Sequence, residues 1–248
     1  MNLFDPAKAA QMNSRDQSPS SIYKLACRYY NGDGVRRDWK KAHNLTMIAA
    51  SLGYTPAISA LGSHYDYGIG VQRNPRLAFS YYVAAAKAGD PGALVSVGAC
   101  YASGVGVKRD WKLAFRYFGQ AARHKVPEAL HYLGKCYRFG QGTIRNAEKG
   151  FKLELQAAKM GIAEAQFSVG VCFDKGEGVQ RNLRRAILWY QRAAKKGISD
   201  AQYNVGDFYE HGKAVKRDLR SALKWYSLAA QNGDSDAKHA IKRIRHSS

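Results

Sequence analysis

Cysteine and histidine are the first side chains in this sequence whose type and spacing could do chemistry. Three cysteines recur 36 residues apart, at Cys100, Cys136 and Cys172. His64 lies one such step before the first of them, and Cys27 is one residue out of that register. Zinc needs ligands that converge on one point, and a disulfide needs Cα atoms within about 7 Å. Equivalent positions of a regular stack of helices are farther apart than that, so we expect buried, reduced packing thiols, no metal and no cofactor.

No motif for nucleophilic, metal-assisted or phosphate chemistry is present. The sequence contains no H-E-x-x-H, C-x-x-C, G-x-S-x-G or phosphate-loop pattern. Its G-x-G pairs recur at one fixed step, which indicates a turn between helices rather than a nucleotide loop. Because no nucleophile and base stand together, we expect the protein not to be an enzyme.

A row of arginines shares the same step and is the next candidate, as an anion-binding track. Its members are Arg37, Arg73, Arg109, Arg145, Arg181 and Arg217. A basic residue between two helices can also neutralise the carbonyl groups at the end of a helix or pair with a carboxylate. We favour this structural role.

The overall composition is that of a folded, strongly basic chain. Of 248 residues, 46% are hydrophobic and 23% are charged, and 39 Lys and Arg against 19 Asp and Glu give a net charge of +20. Such a charge attracts acidic partners without identifying them. No apolar run approaches the roughly 20 residues of a membrane span, and the N-terminus lacks the features of a signal peptide. We expect an intracellular protein, in the cytoplasm.

The elements that position these side chains are internal repeats. A glycine recurs without one insertion at Gly32, Gly68, Gly104, Gly140, Gly176 and Gly212. An alanine recurs at the same step, at Ala57, Ala93, Ala129, Ala165, Ala201 and Ala237. A fixed period of this length predicts a solenoid of small supersecondary units.

Each repeat is predicted to contain two helices. The first helix runs from the recurring alanine to the Tyr before the first glycine, and a recurring Asp or Asn caps the second helix. A further glycine ends the second helix, except in the third repeat, where Lys125 stands instead. We expect Lys125 either to carry a modest strain or to end the helix differently. A glycine inside the first helix should let the helices approach closely: Gly62, Gly98, Gly134, Gly170 and Gly206.

The period follows the pattern A-x-x-x-L-G-x-x-Y-x-x-G-x-G-V-x-x-D-x-x-x-A-x-x-W-Y-x-x-A-A-x-x-G. The sixth copy matches it almost completely, at Ala201, Val205, Gly206, Tyr209, Gly212, Val215, Asp218, Ala222, Trp225, Tyr226, Ala229, Ala230 and Gly233. This pattern resembles the Sel1-like repeat, a relative of the tetratricopeptide repeat, over residues 21–237. The resemblance implies an all-α, right-handed α/α superhelical solenoid whose first helices line a concave groove. It also implies an adaptor that assembles protein complexes.

Some secreted members of that family join each hairpin by a disulfide at two alanine positions of the pattern. In this sequence those positions hold alanine, as in Ala50 and Ala57. This departure argues against an oxidised, extracellular protein.

We divide the chain into an arm, six repeats and a cap. Residues 1–20 lack the repeat register and are expected to be a loosely ordered arm. The predicted repeats are residues 21–56, 57–92, 93–128, 129–164, 165–200 and 201–236. Residues 237–248 form a capping helix and tail, with a polar exposed side that an open stack requires.

Helical phasing selects side chains that face the predicted groove. The candidates for partner binding are Tyr67, Tyr132, Lys135, Phe139, Lys175 and His211. Aromatic rings within a polar surround are the usual anchors of a bound peptide or helix. The same rings could instead shield neighbouring turns.

A second candidate surface is a basic stripe on the outer side of the second helices. It comprises Lys40, Arg76, Lys112, Arg116, Lys152, Arg184, Arg220 and Lys224. Only Glu148 opposes it at the aligned positions. The stripe could contact phosphates of RNA or DNA, an anionic membrane surface or an acidic protein, or simply keep the chain soluble.

The sequence therefore predicts a non-enzymatic scaffold that holds an acidic partner protein in its groove. A scaffold associated with nucleic acid or ribonucleoprotein is the alternative.

Overall fold

The computed structural model describes residues 18–246, and every regular element in this part of the chain is an α-helix. The thirteen helices are α1 Pro19–Asn31, α2 Trp39–Ser51, α3 Thr55–Tyr67, α4 Pro75–Lys87, α5 Pro91–Ser103, α6 Trp111–Arg123, α7 Pro127–Phe139, α8 Ala147–Lys159, α9 Ala163–Lys175, α10 Leu183–Lys195, α11 Ser199–His211, α12 Leu219–Gln231 and α13 Ser235–His246. Two helices per 36 residues make an all-α repeat solenoid, as predicted.

The second helix of every repeat begins where the sequence predicts a cap. The side-chain oxygen of the Asp or Asn accepts a hydrogen bond from a backbone N–H of the first turn, as Asp38 does from Lys41 at 2.9 Å. The same cap forms at Asn74, Asp110, Asn146, Asn182 and Asp218.

The first helices begin two residues earlier than predicted. They start at Thr55, Pro91, Pro127, Ala163 and Ser199. In three of them a proline lies at the first or second position, where a helix needs no N–H. Likewise, α1 begins at Pro19, capped by Ser18, so the last residues of the predicted arm are helical. The rest of the arm, residues 1–17, lies outside the described residues. The predicted cap corresponds to α13, which also begins two residues early, at Ser235.

The chain divides into two compact units, an N-terminal unit ending at Ala121 and a C-terminal unit beginning at Ala122. In the N-terminal unit each helix from α1 to α5 packs against the next. In the C-terminal unit the same holds from α7 to α13. The core of each unit combines alanines with buried aromatic and aliphatic side chains from both helices of a repeat.

In repeats two to six, one glycine of the first helix allows close packing, as predicted. A Cβ added at Gly62 would lie 2.5 Å from the ring of Tyr82 on α4. The equivalent pairs of glycine and ring are Gly98 with Phe118, Gly170 with Tyr190 and Gly206 with Tyr226. Any side chain here would collide with the ring that fills the interior of the repeat. We call this ring-bearing place of the second helix the ring position.

The G-x-G turns also have a structural role. A Cβ at Gly70 would lie 2.1 Å from the carbonyl oxygen of Trp39, so the turn touches the backbone of α2. Where glycine is replaced, the backbone still takes the left-handed conformation, with φ 57° at Lys125 and 58° at Ala214. The strain predicted at Lys125 is therefore present.

Candidate partner-binding surface

Three of the predicted groove residues lie on one face of α7 in the C-terminal unit. Tyr132, Lys135 and Phe139 are spaced by three and four residues, which brings them to the same side of the helix. Tyr132 is 37% exposed and Phe139 is 51% exposed, and Lys135 between them is half-buried. We call these three residues the α7 face.

The remaining predicted residues share one repeat position, the last residue of a first helix, with Phe139. Lys175 ends α9 and His211 ends α11, and both are exposed. The imidazole Nδ1 of His211 lies 2.9 Å from a carboxylate oxygen of Asp207, so His211 already has a local partner. Tyr67 ends α3 in the N-terminal unit and is 74% exposed.

Charged side chains are buried behind the α7 face. Helical phasing of the sequence does not reveal them. Glu154 of α8 is 0% exposed and Arg138 of α7 is 5% exposed, with Arg138 Nε 3.0 Å from Glu154 Oε2. Arg138 Nη1 also donates to Glu177 at 3.0 Å, which ties α7 to the turn after α9. His131 Nδ1 lies 3.7 Å from Glu154 Oε1. We call these four residues the buried ion cluster.

Burial sets the protonation of the cluster. It raises the pKa of Glu154, an effect that the facing guanidinium of Arg138 opposes. Burial, and then the positive charges of Lys135 and Arg138, lower the pKa of His131 to about 4, so the imidazole is neutral at pH 7. The guanidinium of Arg138 lies 4.4 Å from the ring centroid of Phe139, so the cluster also positions an exposed aromatic of the α7 face.

Repeat alignment explains why the cluster occurs in this repeat. Glu154 stands at the ring position, where the neighbouring repeat has Tyr190. Gly150, where other repeats have alanine, lets α8 approach α7, since a Cβ there would lie 2.7 Å from the carbonyl oxygen of Gly134. The replacement of a ring by Glu154 is the signal that could have revealed the cluster from sequence.

The arginine row bonds to helix carbonyl groups, as the structural interpretation predicts. Arg73 Nε donates to the carbonyl of Asp66 and Arg181 Nε donates to that of Asp174, each at 2.7 Å. Corresponding bonds form at Arg37, Arg145 and Arg217. These guanidinium groups stabilise the ends of the first helices.

The basic stripe is exposed in both units. Its members in the N-terminal unit are Lys40, Arg76, Lys112 and Arg116, and those in the C-terminal unit are Lys152, Arg184, Arg220 and Lys224. Lys152 is paired with Glu148 at 2.6 Å, and its hydrogen bond lowers the pKa of that carboxyl. Exposed pairs of this kind contribute little to stability. Because the stripe has eight cations and only Glu148 opposes it at the aligned positions, its charge remains strongly positive.

The cysteines in register are packing side chains. Cys100, Cys136 and Cys172 are buried free thiols, and burial raises their pKa to about 11, 11 and 12. Thiols of this kind are unreactive because the thiolate is strongly disfavoured. Within residues 18–246, no group of three or more His, Cys, Asp or Glu could hold a metal ion. In that part of the chain, no helix has both the length and the apolar character that crossing a membrane demands.

Comparison with known families agrees with the register of the sequence. The Sel1 repeat matches in six consecutive copies, at residues 19–54, 55–90, 91–126, 127–162, 163–198 and 199–234. The chain belongs to the Sel1 repeat family. Each matched copy begins two residues before the predicted one, as the first helices do. Sel1 repeat proteins generally mediate protein–protein interactions and are generally not enzymes.

Solved structures of Sel1 repeat proteins have the same fold. A Sel1 repeat protein from Oxalobacter formigenes is 29% identical, with a TM-score of 0.80 over 92% of this chain and 66% of that chain. The protective antigen c5321, present in uropathogenic Escherichia coli strains, is 28% identical, with a TM-score of 0.72 over 91% of this chain and 48% of that one. The chain thus spans about half of c5321 and just under two thirds of the Oxalobacter protein.

A third structure resembles this chain in fold alone. The immunity protein Pa5087 from Pseudomonas aeruginosa is 22% identical, with a TM-score of 0.59 over 90% of this chain and 85% of that chain. No curated protein matches the sequence.

Proposed function

We propose that this Sel1 repeat protein is a non-enzymatic scaffold that holds a segment of an acidic partner protein against the α7 face. The observation that carries the proposal is the exposure of two aromatic rings, Tyr132 and Phe139, on one side of a helix with Lys135 between them. Exposed aromatic side chains with a polar surround are the commonest energetic anchors of a protein interface.

The buried ion cluster supports this role by holding the face rigid. Arg138 contacts the ring of Phe139 on one side and two carboxylates on the other, so the ring has a fixed support before any partner binds. A preorganised surface binds more tightly because less side-chain entropy is lost on association.

The positive charge supports an acidic partner. Lys135 and Lys175 lie on the predicted groove side, and the net charge of +20 gives a long-range attraction for acidic segments. Such a field mainly increases the rate of association and makes it dependent on salt.

The experiment compares partners captured by three forms of the full-length chain. These are the wild type, Tyr132→Ala/Phe139→Ala, and a control, Met160→Ala/Leu188→Ala, which removes two equally exposed apolar side chains of the same unit. Captured proteins are identified by mass spectrometry with and without nuclease. We expect the wild type and the control to retain a partner that the α7 variant loses, whether or not nuclease is added.

Retention of every partner by the α7 variant would remove the proposal. Capture that disappears with nuclease and weakens linearly with salt on a log–log scale would instead indicate phosphate contacts by the basic stripe.

A further inference from the structure

The first repeat lacks the ring that fills the interior of its neighbours. Thr46 stands at the ring position, and Ala26 stands where the other first helices have glycine. Both are buried, at 1% and 2% exposure. The hydroxyl of Thr46 donates to the carbonyl of Ala42 at 2.8 Å, so its polar group is satisfied within its own helix. The two small side chains border an open space, and they hold the places that Gly62 and Tyr82 take in the second repeat.

That space is part of a cavity of about 420 Å³ between α1 and α3. Tyr23 and Tyr30 of α1 line it, and small side chains of α3, such as Ser59 and Ser63, widen it. Tyr30 is 40% exposed, so the cavity opens to solvent. We call it the Thr46 cavity.

His64, one of a pair of neutral histidines, lines one wall of the cavity. His64 Nδ1 lies 3.3 Å from His43 Nδ1 of α2, and the ring of Tyr30 stacks on His64 with centroids 6.3 Å apart and planes 10° apart. The edge of His43 in turn meets Tyr65, at a centroid distance of 5.3 Å and 88° between planes. Burial, and then the neighbouring His43, lower the pKa of His64 to about 4. At neutral pH the wall is therefore uncharged and aromatic, which favours another ring in an offset or edge contact.

The charge of the N-terminal unit indicates which residues would flank an inserted ring. Its described residues, 18–121, contain thirteen Lys and Arg and five Asp, with no Glu. Three of the five carboxylates cap helices, including Asp90 at the cavity, which accepts from the N–H of Gly92 at 2.8 Å. Asp66 is paired with Arg73 at 3.8 Å. Most of the cations therefore have no carboxylate partner within the unit. They do not line the cavity, but their excess over carboxylates would attract acidic residues beside the inserted ring at long range.

We propose that the Thr46 cavity receives one aromatic side chain of an acidic peptide, as a second anchor separate from the α7 face. The inference rests on the proposed function in taking the occupant to be a peptide segment. The inserted ring enters between α1 and α3, lies beside Tyr30 and His64, and covers a floor that includes Ala26 and Thr46.

The test uses synthetic heptapeptide amides that differ only in the central residue. The central Trp, Phe, Leu or Ala is flanked on each side by three Asp or Glu residues, and fluorescence anisotropy measures the Kd for the full-length chain. We expect the Trp and Phe peptides to bind at least tenfold more tightly than the Ala peptide. Equal affinity for all four peptides would show that charge alone binds them and would overturn the proposal. Displacement of the Phe and Ala peptides to the same extent by a uridine oligonucleotide would overturn it as well.

Two variants fill the cavity with side chains that the chain already uses elsewhere. Ala26→Gly/Thr46→Tyr recreates the pair formed by Gly62 and Tyr82, and Ser59→Phe introduces the residue that repeat five has at that position, Phe167. Each should reduce the affinity for the Phe peptide to that for the Ala peptide while circular dichroism shows an intact helical fold. Leu52→Ala, which removes an exposed side chain of the same unit that does not line the cavity, should leave binding unchanged.

The variant Tyr132→Ala/Phe139→Ala separates this inference from the proposed function. It should leave the preference for a central ring intact, because the Thr46 cavity is unaltered. The inference would be overturned if Tyr132→Ala/Phe139→Ala lost the preference for a central ring while both cavity variants kept it. That result would place the bound ring at the α7 face.

Discussion

Repeats one and four both lack the ring that fills the interior of the other repeats, and they compensate in opposite ways. In repeat one, Thr46 and Ala26 leave a cavity beside a pair of neutral histidines. In repeat four, Glu154 takes the place of the ring and is neutralised by Arg138, which also binds Glu177 of the next repeat. The backbone register is the same in both.

The side chain at the ring position therefore varies between repeats while the backbone register stays the same. A small side chain there gives the repeat an open space, and a charged side chain gives it a buried electrostatic link to its neighbour. The first option leaves free volume for a ligand, and the second rigidifies the surface above it. A buried ion pair is weak evidence for stability, but removal of one partner is costly because the other charge stays buried.

The largest effect is expected from breaking the buried ion cluster. Arg138→Ala should lower the free energy of unfolding by about 3–5 kcal/mol, because the carboxylate of Glu154 is left without its counterion at 0% exposure. Arg138→Ala/Glu154→Phe recreates the combination of Ala102 and Phe118 in repeat three and should recover most of that loss. Urea unfolding measures both. A single variant that costs less than about 1 kcal/mol would contradict the importance of the ion pair.

A pH dependence should distinguish repeat one. Burial lowers the pKa of His43. Burial and the neighbouring His43 lower the pKa of His64 from 6.5 to about 4. As the pH falls, these histidines therefore bind protons at a higher pH in the unfolded chain than in the folded chain. The stabilisation is complete above pH 6.5 and is lost as pH falls toward 4, by about 3 kcal/mol for His64. The groups that face the pair are the rings of Tyr30, against His64, and Tyr65, against His43.

The matched variant replaces both histidines with residues from the next repeat. His43→Phe/His64→Cys introduces the side chains of Phe79 and Cys100, and its melting temperature should fall less than that of the wild type between pH 6.5 and pH 4.5. His131 of repeat four shifts in the same direction and remains in both proteins, so only the difference between the two curves reports on repeat one. Parallel curves would show that the pair does not control the acid response.

The smallest effect tests why glycine is needed where a ring is present. Gly62→Ala should cost about 1–3 kcal/mol of unfolding free energy, because its Cβ would lie 2.5 Å from Tyr82. Ala26→Gly in repeat one, where no ring lies opposite, should cost only about 0.5–1 kcal/mol through backbone entropy. Thermal unfolding of the two variants gives the comparison, and equal costs would mean that the ring does not set the requirement.

Much of the fold could be predicted because its determinants are local. Asp38 and its equivalents cap helices through bonds two or three residues away, and the G-x-G turns need only a left-handed backbone. Arg73, Arg145, Arg181 and Arg217 reach a carbonyl seven residues back. The helix starts were misplaced by two residues because the alanine period marks burial and not the first helical residue.

The candidate site was predictable only in part. Helical phasing identified Tyr132 and Phe139, because exposure on a helix follows from its period. It missed Glu154 and Arg138, which are 16 residues apart and belong to different helices. A charged residue inside a helix is usually exposed, and only the loss of a ring at an aligned position indicates otherwise.

The six repeats, the position of each cap and turn, and the glycines at which neighbouring helices pack closely can all be predicted from the sequence. These follow from constraints between residues at fixed, short separations. Only the tertiary structure decided that His43 meets His64, that Arg138 neutralises Glu154, and that Thr46 borders an open space. Each of these depends on how side chains from different helices share a limited interior volume, which no spacing along the chain specifies.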